Sequence, residues 1–240
     1  MPTRILTWNL QGRARPDLEA VAEVVGAAGA DVVALQEVQR AQARRLAQLL
    51  DRQLIGRFKH WPVVHPAEGL ALLAPRPVTD LRTVVLAHHL RFWSWRRRVA
   101  VRATVATADG PLPIVVTHLG AGVPEAERVR QAELTVAALD GPHGCIAGDL
   151  NTRPGSSVLA AYRAAGLRDA WDDVRPGEQG PTNWRPGPRD VEPTQRLDYV
   201  LVSETLEVIS AAVPAWGDPG FERFGALSDH LPVTVTVRRR

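Results

Sequence analysis

Six apolar runs in this chain are too continuous for the half-wetted strands of a one-sided sheet. Each also ends at, or contains, a polar residue that burial would penalise. Ile5-Leu6-Thr7-Trp8 runs into Asn9, Val32-Val33-Ala34-Leu35-Gln36 into Glu37, and Ile114-Val115-Val116-Thr117 into His118. Cys145-Ile146-Ala147-Gly148 runs into Asp149-Leu150-Asn151, and Asp198 sits inside Arg196-Leu197-Asp198-Tyr199-Val200-Leu201-Val202. Asp229-His230 stands directly before the apolar strand opened by Leu231. Continuous apolarity implies sheets covered on both faces. Polar groups on such strands are costly unless they meet one another, a metal, or both.

Between these runs the period changes. Leu18, Val21, Ala22 and Val25 recur at helical spacing after Pro16, and Gly29 closes that helix. Further helices are predicted at 40–51, after Pro124, and near 156–165. Strands are predicted from about Arg4, at 31–36, 69–74, 78–86 and 98–107, then through an Asp109-Gly110 turn to His118, and at 143–148, 196–203, 207–213 and 231–237. Hairpins mix with strand–helix–strand units, so the expected class is α/β, with sheets packed on each other and helices outside. With no long linker and no short-period repeat, residues 1–240 are expected to form a single domain. The Pro/Gly-rich stretch 173–195, with Trp184 in its middle, is expected to be a rim that selects substrate and adds little to chemistry.

The formal net charge is +3 and the pI near 9.7, which fits an anionic partner. Yet the 29 basic residues include a single Lys, Lys59. Such Arg excess beside abundant Ala, Gly, Pro and Val is what a GC-rich genome produces, so charge alone does not choose the substrate. One cysteine, Cys145 in an apolar strand, excludes an intramolecular disulfide and reads as a core thiol. No apolar stretch is long enough to span a membrane, and no signal-like segment precedes Arg4. A cytoplasmic monomer is the expectation.

Glu37, Asp149, Asp198 and Asp229, with Asn9 and Asn151, make an all-oxygen set suited to Mg²⁺, Mn²⁺ or Ca²⁺, whereas zinc would normally draw on more His or Cys. His118 and His230 add groups that exchange protons near neutral pH. Metal, carboxylate and imidazole together fit hydrolysis of a phosphate ester. Taken singly, Asn9 fits a turn, His118 a structural histidine, and Asp149-Leu150-Asn151 a capped turn. Taken together, these readings would leave many polar groups on buried strands without a reason.

The ordered series Thr7-Trp8-Asn9, Leu35-Gln36-Glu37-Val38, Thr117-His118-Leu119-Gly120, Gly148-Asp149-Leu150-Asn151, Arg196-Leu197-Asp198-Tyr199 and Ser228-Asp229-His230-Leu231-Pro232 resembles the endonuclease/exonuclease/phosphatase superfamily, from about residue 3 to residue 237. The resemblance implies a DNase I-like four-layered α/β sandwich, two packed mixed β-sheets flanked by helices, with a site at one end of the sheets. It also implies Glu37 as principal Mg²⁺ (or Mn²⁺) ligand, Asn9 completing the metal or phosphate shell, and Asp229 as a second metal ligand. Asp149 would hold the attacking water, with Asn151 beside it. His230, oriented by Asp198, would act as base or phosphate stabiliser, and His118 would bind a phosphoryl oxygen or assist the leaving group.

No core motif is degraded, but the specificity apparatus of the better-known branches is missing. There is no helical insertion of the kind that grips duplex DNA, and no inositol-polyphosphate signature. The leading expectation is therefore a divalent-metal-dependent phosphodiesterase with an open substrate. The alternatives are a DNA or RNA nuclease and a non-catalytic module that binds a phosphate ligand. Arg98 and Trp184 are expected to touch substrate. Phe92-Trp93-Ser94-Trp95 before Arg96-Arg97-Arg98 fits either base stacking or lipid contact, or a sheet edge packing its Trp rings.

Overall fold

The computed structural model describes residues 1–58, 68–75, 77–91, 94–184 and 187–240, with 88–91 and 94–96 as backbone only. Phe92 and Trp93, from the aromatic stretch singled out above, lie outside the described residues. One six-stranded sheet holds β1 (Thr3–Asn9), β2 (Val32–Gln39), β3 (Gln53–Phe58), β4 (Glu68–Ala74), β11 (Leu206–Ala212) and β12 (Val233–Arg239), in the order β11-β12-β1-β2-β4-β3. The other holds β5 (Val78–Arg91), β6 (Ser94–Thr107), β7 (Gly110–His118), β8 (Cys145–Asp149), β9 (Leu167–Asp169) and β10 (Asp198–Ser203), in the order β5-β6-β7-β8-β10-β9. In each sheet one central pair is parallel, β1 with β2 and β7 with β8, and the remaining pairs are antiparallel.

Alternation along each strand decides the layers. Ile5, Val32, Ala34, Val101, Ile114, Val116, Ala147 and Val200 face the other sheet in one core. Leu6, Trp8, Val33, Leu35 and Leu73 face the opposite way, onto Val21, Val25 and Leu46 of α1 (Leu18–Ala27) and α2 (Arg40–Leu49). Val115, Ile146, Tyr199 and Leu201 likewise face Ala132 and Leu139 of α3 (Glu125–Leu139) and Val158 and Tyr162 of α4 (Ser157–Ala164). The result is helices, sheet, sheet, helices. Two short helices, α5 (Ala170–Val174) and α6 (Glu222–Leu227), complete the set.

Several boundaries differ from the sequence reading for local reasons. Asp17 caps α1 by accepting from the backbone N–H groups of Glu19 and Ala20, so the helix starts two residues after Pro16. The β6–β7 hairpin turns through Ala108-Asp109, and Gly110, at φ 104°, is already the first residue of β7. The edge strand β3 buries only Ile55 fully, and β9 is three residues long. Neither leaves the apolar run that marks the other strands.

Candidate functional site

Strand register brings the polar ends together. Asn9 ends β1 beside Gln36 of β2, His118 ends β7 opposite Asp149 of β8, and Asp198 opens β10 opposite the same Asp149. Thr7 pairs with Val233 at the start of β12, so the residues before that strand, Asp229 and His230, come to the same edge. Gly148, at φ 154°, makes the close approach possible: a Cβ there would strike the Thr117 carbonyl and push β7 from β8. Glu37 arrives by a different device. The β2–β4 pairing shifts between Gln36 and Val38, and Glu37 takes φ 51° at that bulge.

The side chains then make one network. His230 Nδ1 donates to Asp198 Oδ2 at 2.7 Å. His230 Nε2 lies 3.9 Å from Asp149 Oδ2, which is 3.5 Å from His118 Nε2, itself 3.9 Å from Glu37 Oε1. Asp149 is held on both oxygens: the Asn9 amide donates to Oδ2 at 3.0 Å, and the Asn151 backbone N–H donates to Oδ1 at 2.8 Å. Asn151 sits at φ 47° and donates its own amide to the Leu119 carbonyl at 3.0 Å, tying the ends of β7 and β8. His118, Asp149, Asp198 and His230 are buried, and Glu37 keeps a quarter of its side chain exposed.

Other predicted residues stand differently. Asn9 Oδ1 accepts from the Gln11 backbone N–H at 3.1 Å, so its carbonyl is engaged and its amide serves Asp149. Asp229 Oδ2 accepts from Gln11 Nε2 at 3.2 Å, and Gln11 is in turn held by Arg189 at 2.6 Å. Arg98 Nη1 donates to the His118 carbonyl at 3.5 Å. Trp184 is a correction. It is 3% exposed, packs edge-on to Phe221 at 5.8 Å, and donates Nε1–H to Val191 O at 2.7 Å. Its indole fills the layer beside α6 and is not a rim residue. Trp184→Ala is accordingly expected to cost stability, about 3–5 kcal/mol, read by chemical denaturation, where an unchanged midpoint would contradict the packing.

Sequence reasoning also missed the groups that support this network. Thr182 Oγ1 donates to Asp198 Oδ2 at 2.7 Å while accepting from the backbone N–H groups of Leu197 and Asp198. Its carbonyl accepts from Leu231 N at 2.7 Å, and Asn183 donates to the Asp229 carbonyl. Ser228 Oγ bonds the Asn9 carbonyl at 2.6 Å and accepts from His230 N, and Trp8 Nε1 donates to His230 O at 2.8 Å. The 173–195 stretch, expected only to border the site, therefore underpins its floor. The signal was faint: a Thr-Asn pair in a loop has no periodicity to betray burial.

Electrostatics follow from burial. It pushes the Asp149 carboxyl up to about 6, with His230 pulling the other way. Burial disfavours charge on His230, but the Asp198 carboxylate, together with Asp149 and Asp229, more than offsets this and carries the imidazole up to about 9. A pKa raised on folding means stability present below the unfolded value, 6.5 for His230, and lost as pH rises to about 9. In chelator, thermal unfolding should therefore fall by a few degrees between these pH values. Calorimetry showing a flat or rising Tm across that window would mean that Asp198 does not hold His230 charged.

Asp149, Asp198 and His230 each bring a ligand atom within 4.8 Å of the others, a group able to hold a metal. Asp198 Oδ1 is buried with no hydrogen-bond partner among the described residues, a cost of about 1–3 kcal/mol or more for a charged group. Oxygen-rich donors with a partly open Glu37 suit a hard divalent ion.

The family model described as the endonuclease/exonuclease/phosphatase family matches residues 6–230. The chain belongs to the endonuclease/exonuclease/phosphatase family. Its members are hydrolytic phosphoesterases and nucleases. No curated protein matches the chain in sequence. Among solved structures, an endonuclease/exonuclease/phosphatase from Beutenbergia cavernae is similar at TM-score 0.80 and 24% identity, over 99% of this chain and 72% of that one. The human Nocturnin catalytic domain with bound sulfate is similar at 0.79 and 22%, over 100% and 94%. D. rerio TDP2 complexed with a single-strand DNA product is similar at 0.75 and 16%, over 99% of each chain. At these identities the three establish the DNase I-like fold of this family member.

Proposed function

We propose that this chain is a divalent-metal-dependent phosphodiesterase that hydrolyses a phosphate ester by attack of water. The observation that carries the reading is the convergence of Glu37, His118, Asp149, Asp198 and His230 at one end of the two packed sheets, with His230 bonded to Asp198 at 2.7 Å and 3.9 Å from Asp149. Glu37, the most exposed of these carboxylates, is the first residue for Mg²⁺ or Mn²⁺, with Asp149 beside it and Asn9 and Asp229 as outer contributors. When bound, the ion supplies Lewis-acid neutralisation of charge on phosphoryl oxygens.

The protein groups have separable tasks. Asp149, held by Asn9 and Asn151, accepts a hydrogen bond from the attacking water and aims it. Asp198, with Asp149 and Asp229, raises the His230 pKa, which favours phosphate stabilisation by a charged N–H over the role of base. His118 Nε2 reaches the same space and serves a phosphoryl or leaving-group oxygen. Asn151 orients the phosphate or the water, and Arg98, which donates to the His118 carbonyl, is proposed to support a substrate oxygen from the β6 side.

The test is hydrolysis of bis(p-nitrophenyl) phosphate with Mg²⁺ or Mn²⁺. Activity abolished by EDTA and restored by metal is the expected result. Binding of inorganic phosphate without turnover on any phosphodiester would instead favour the non-catalytic module. A nuclease would appear as faster turnover of single- or double-stranded nucleic acid than of the small ester.

A further inference from the structure

Behind the Asp198–His230 pair lies a small cavity that the proposed reaction does not use. Asp169, Trp171, Gly180, Thr182, Arg196, Asp198 and Tyr199 line it, closed by apolar side chains of β10 to β12. Its size matches about a single water molecule. Four buried polar atoms on its lining residues lack hydrogen-bond partners among the described residues: Asp198 Oδ1, Arg196 Nε, Arg196 Nη1 and Asp169 Oδ2, the last in ion-pair range of Arg196 Nη2. Arg196 is only 6% exposed and Asp198 1%. The rest of the Arg196 guanidinium is fixed. Nη2 lies 2.8 Å from Asp172 Oδ1 and 3.2 Å from Asp169 Oδ2, and the group sits over the Tyr199 ring at 5.4 Å.

Donors without acceptors on Arg196 and an acceptor without a donor on Asp198 therefore belong to residues two apart in the chain that line one small, largely apolar cavity. We propose that Arg196 is a positioning residue for the Asp198–His230 pair, acting through water held in this cavity. The water accepts from Arg196 Nε–H or Nη1–H and donates to Asp198 Oδ1, while Thr182 and His230 occupy Oδ2. Both oxygens of the carboxylate are then satisfied, and the carboxylate plane, which sets the direction of the imidazole, is fixed from both sides. Asp172, at the exposed end, anchors the cation without closing the cavity.

This inference rests on the phosphodiesterase reading for its kinetic arm but not for its structural ones. A high-resolution crystal structure of the wild-type protein is expected to show ordered water within hydrogen-bond reach of both Arg196 and Asp198 Oδ1. A dry cavity would overturn the proposal. In metal-free protein, the downfield Nδ1–H resonance of His230, assigned by its loss in His230→Ala, is expected to shift or broaden in Arg196→Met. Arg196→Lys keeps a donor that reaches the water and should restore much of the signal. On bis(p-nitrophenyl) phosphate, Arg196→Met should lower kcat about tenfold with KM little changed. A folded Arg196→Met with unaltered resonance and kcat would show that the residue only braces Asp169, Asp172 and Tyr199. Should Arg196→Met fail to fold, the wild-type crystal structure and the Arg196→Lys spectrum decide. Failure of the wild type to hydrolyse any ester would remove the phosphodiesterase reading alone.

Discussion

Asp198→Asn and His230→Ala are each expected to lower kcat/KM by about 1,000-fold, and the double variant should be scarcely worse than the worse single one. The reason is geometric. His230 Nδ1 and Asp198 Oδ2 are 2.7 Å apart and buried, and the other nearby carboxylate, Asp149, lies 3.9 Å from Nε2 on the other side of the ring, where it does not replace the Nδ1 contact. Without the carboxylate, the imidazole loses the largest of the contributions that oppose burial, and its charged form is disfavoured. Without the imidazole, Asp198 is left, among the described residues, with Thr182 as its direct side-chain donor. Either loss removes the same oriented, charged Nε2–H, which is why the energies should not add. The measurement is a double-mutant cycle in kcat/KM, with circular dichroism confirming the fold. Fully additive losses would mean that the two residues act independently, and the pair would have to be abandoned.

What the sequence revealed and what it hid have distinct physical causes. A polar residue closing an apolar run is visible because burial makes it anomalous, and that logic marked Glu37, His118, Asp149 and Asp198 directly. The layers were equally legible, since continuous strands such as Val32–Leu35 need cover on both faces. The resemblance then supplied the sandwich that the family match and the fold bear out. Thr182 and Gln11 were not legible, and Ser228 stood in the ordered series without a role. Each acts through a hydrogen bond made across 16 to 219 residues of chain, from loops where Ser, Thr and Gln are ordinary. Trp184 misled for the converse reason. A Trp in a Pro/Gly-rich loop looks exposed, yet α6 and the 221–224 aromatics provide a wall that no local pattern announces.

Glu37→Gln should weaken Mg²⁺ or Mn²⁺ binding by about 10- to 100-fold and lower turnover at least as much, while the fold stays within about 1 kcal/mol of the wild type. The expectation comes from how β2 is built. Leu35 and Val38 both pack in the helix-facing core, although strict alternation would send them to opposite faces. The bulge absorbs the extra residue, and that residue is Glu37, freed from both cores and turned toward His118. Its φ of 51° is a conformation that costs a non-glycine residue about 1 kcal/mol or more. Packing does not require a glutamate at such a position, and glycine would sit there with less strain. The side chain is therefore held for its carboxylate. Gln keeps the backbone, the length and one oxygen but gives up the charge that a hard cation needs. Calorimetric titration of metal into the variant, paired with thermal unfolding, separates the two effects. Undiminished affinity with normal turnover would remove Glu37 from the metal role. Lost affinity in a protein that melts like the wild type would mark the bulge as a device for presenting one charge.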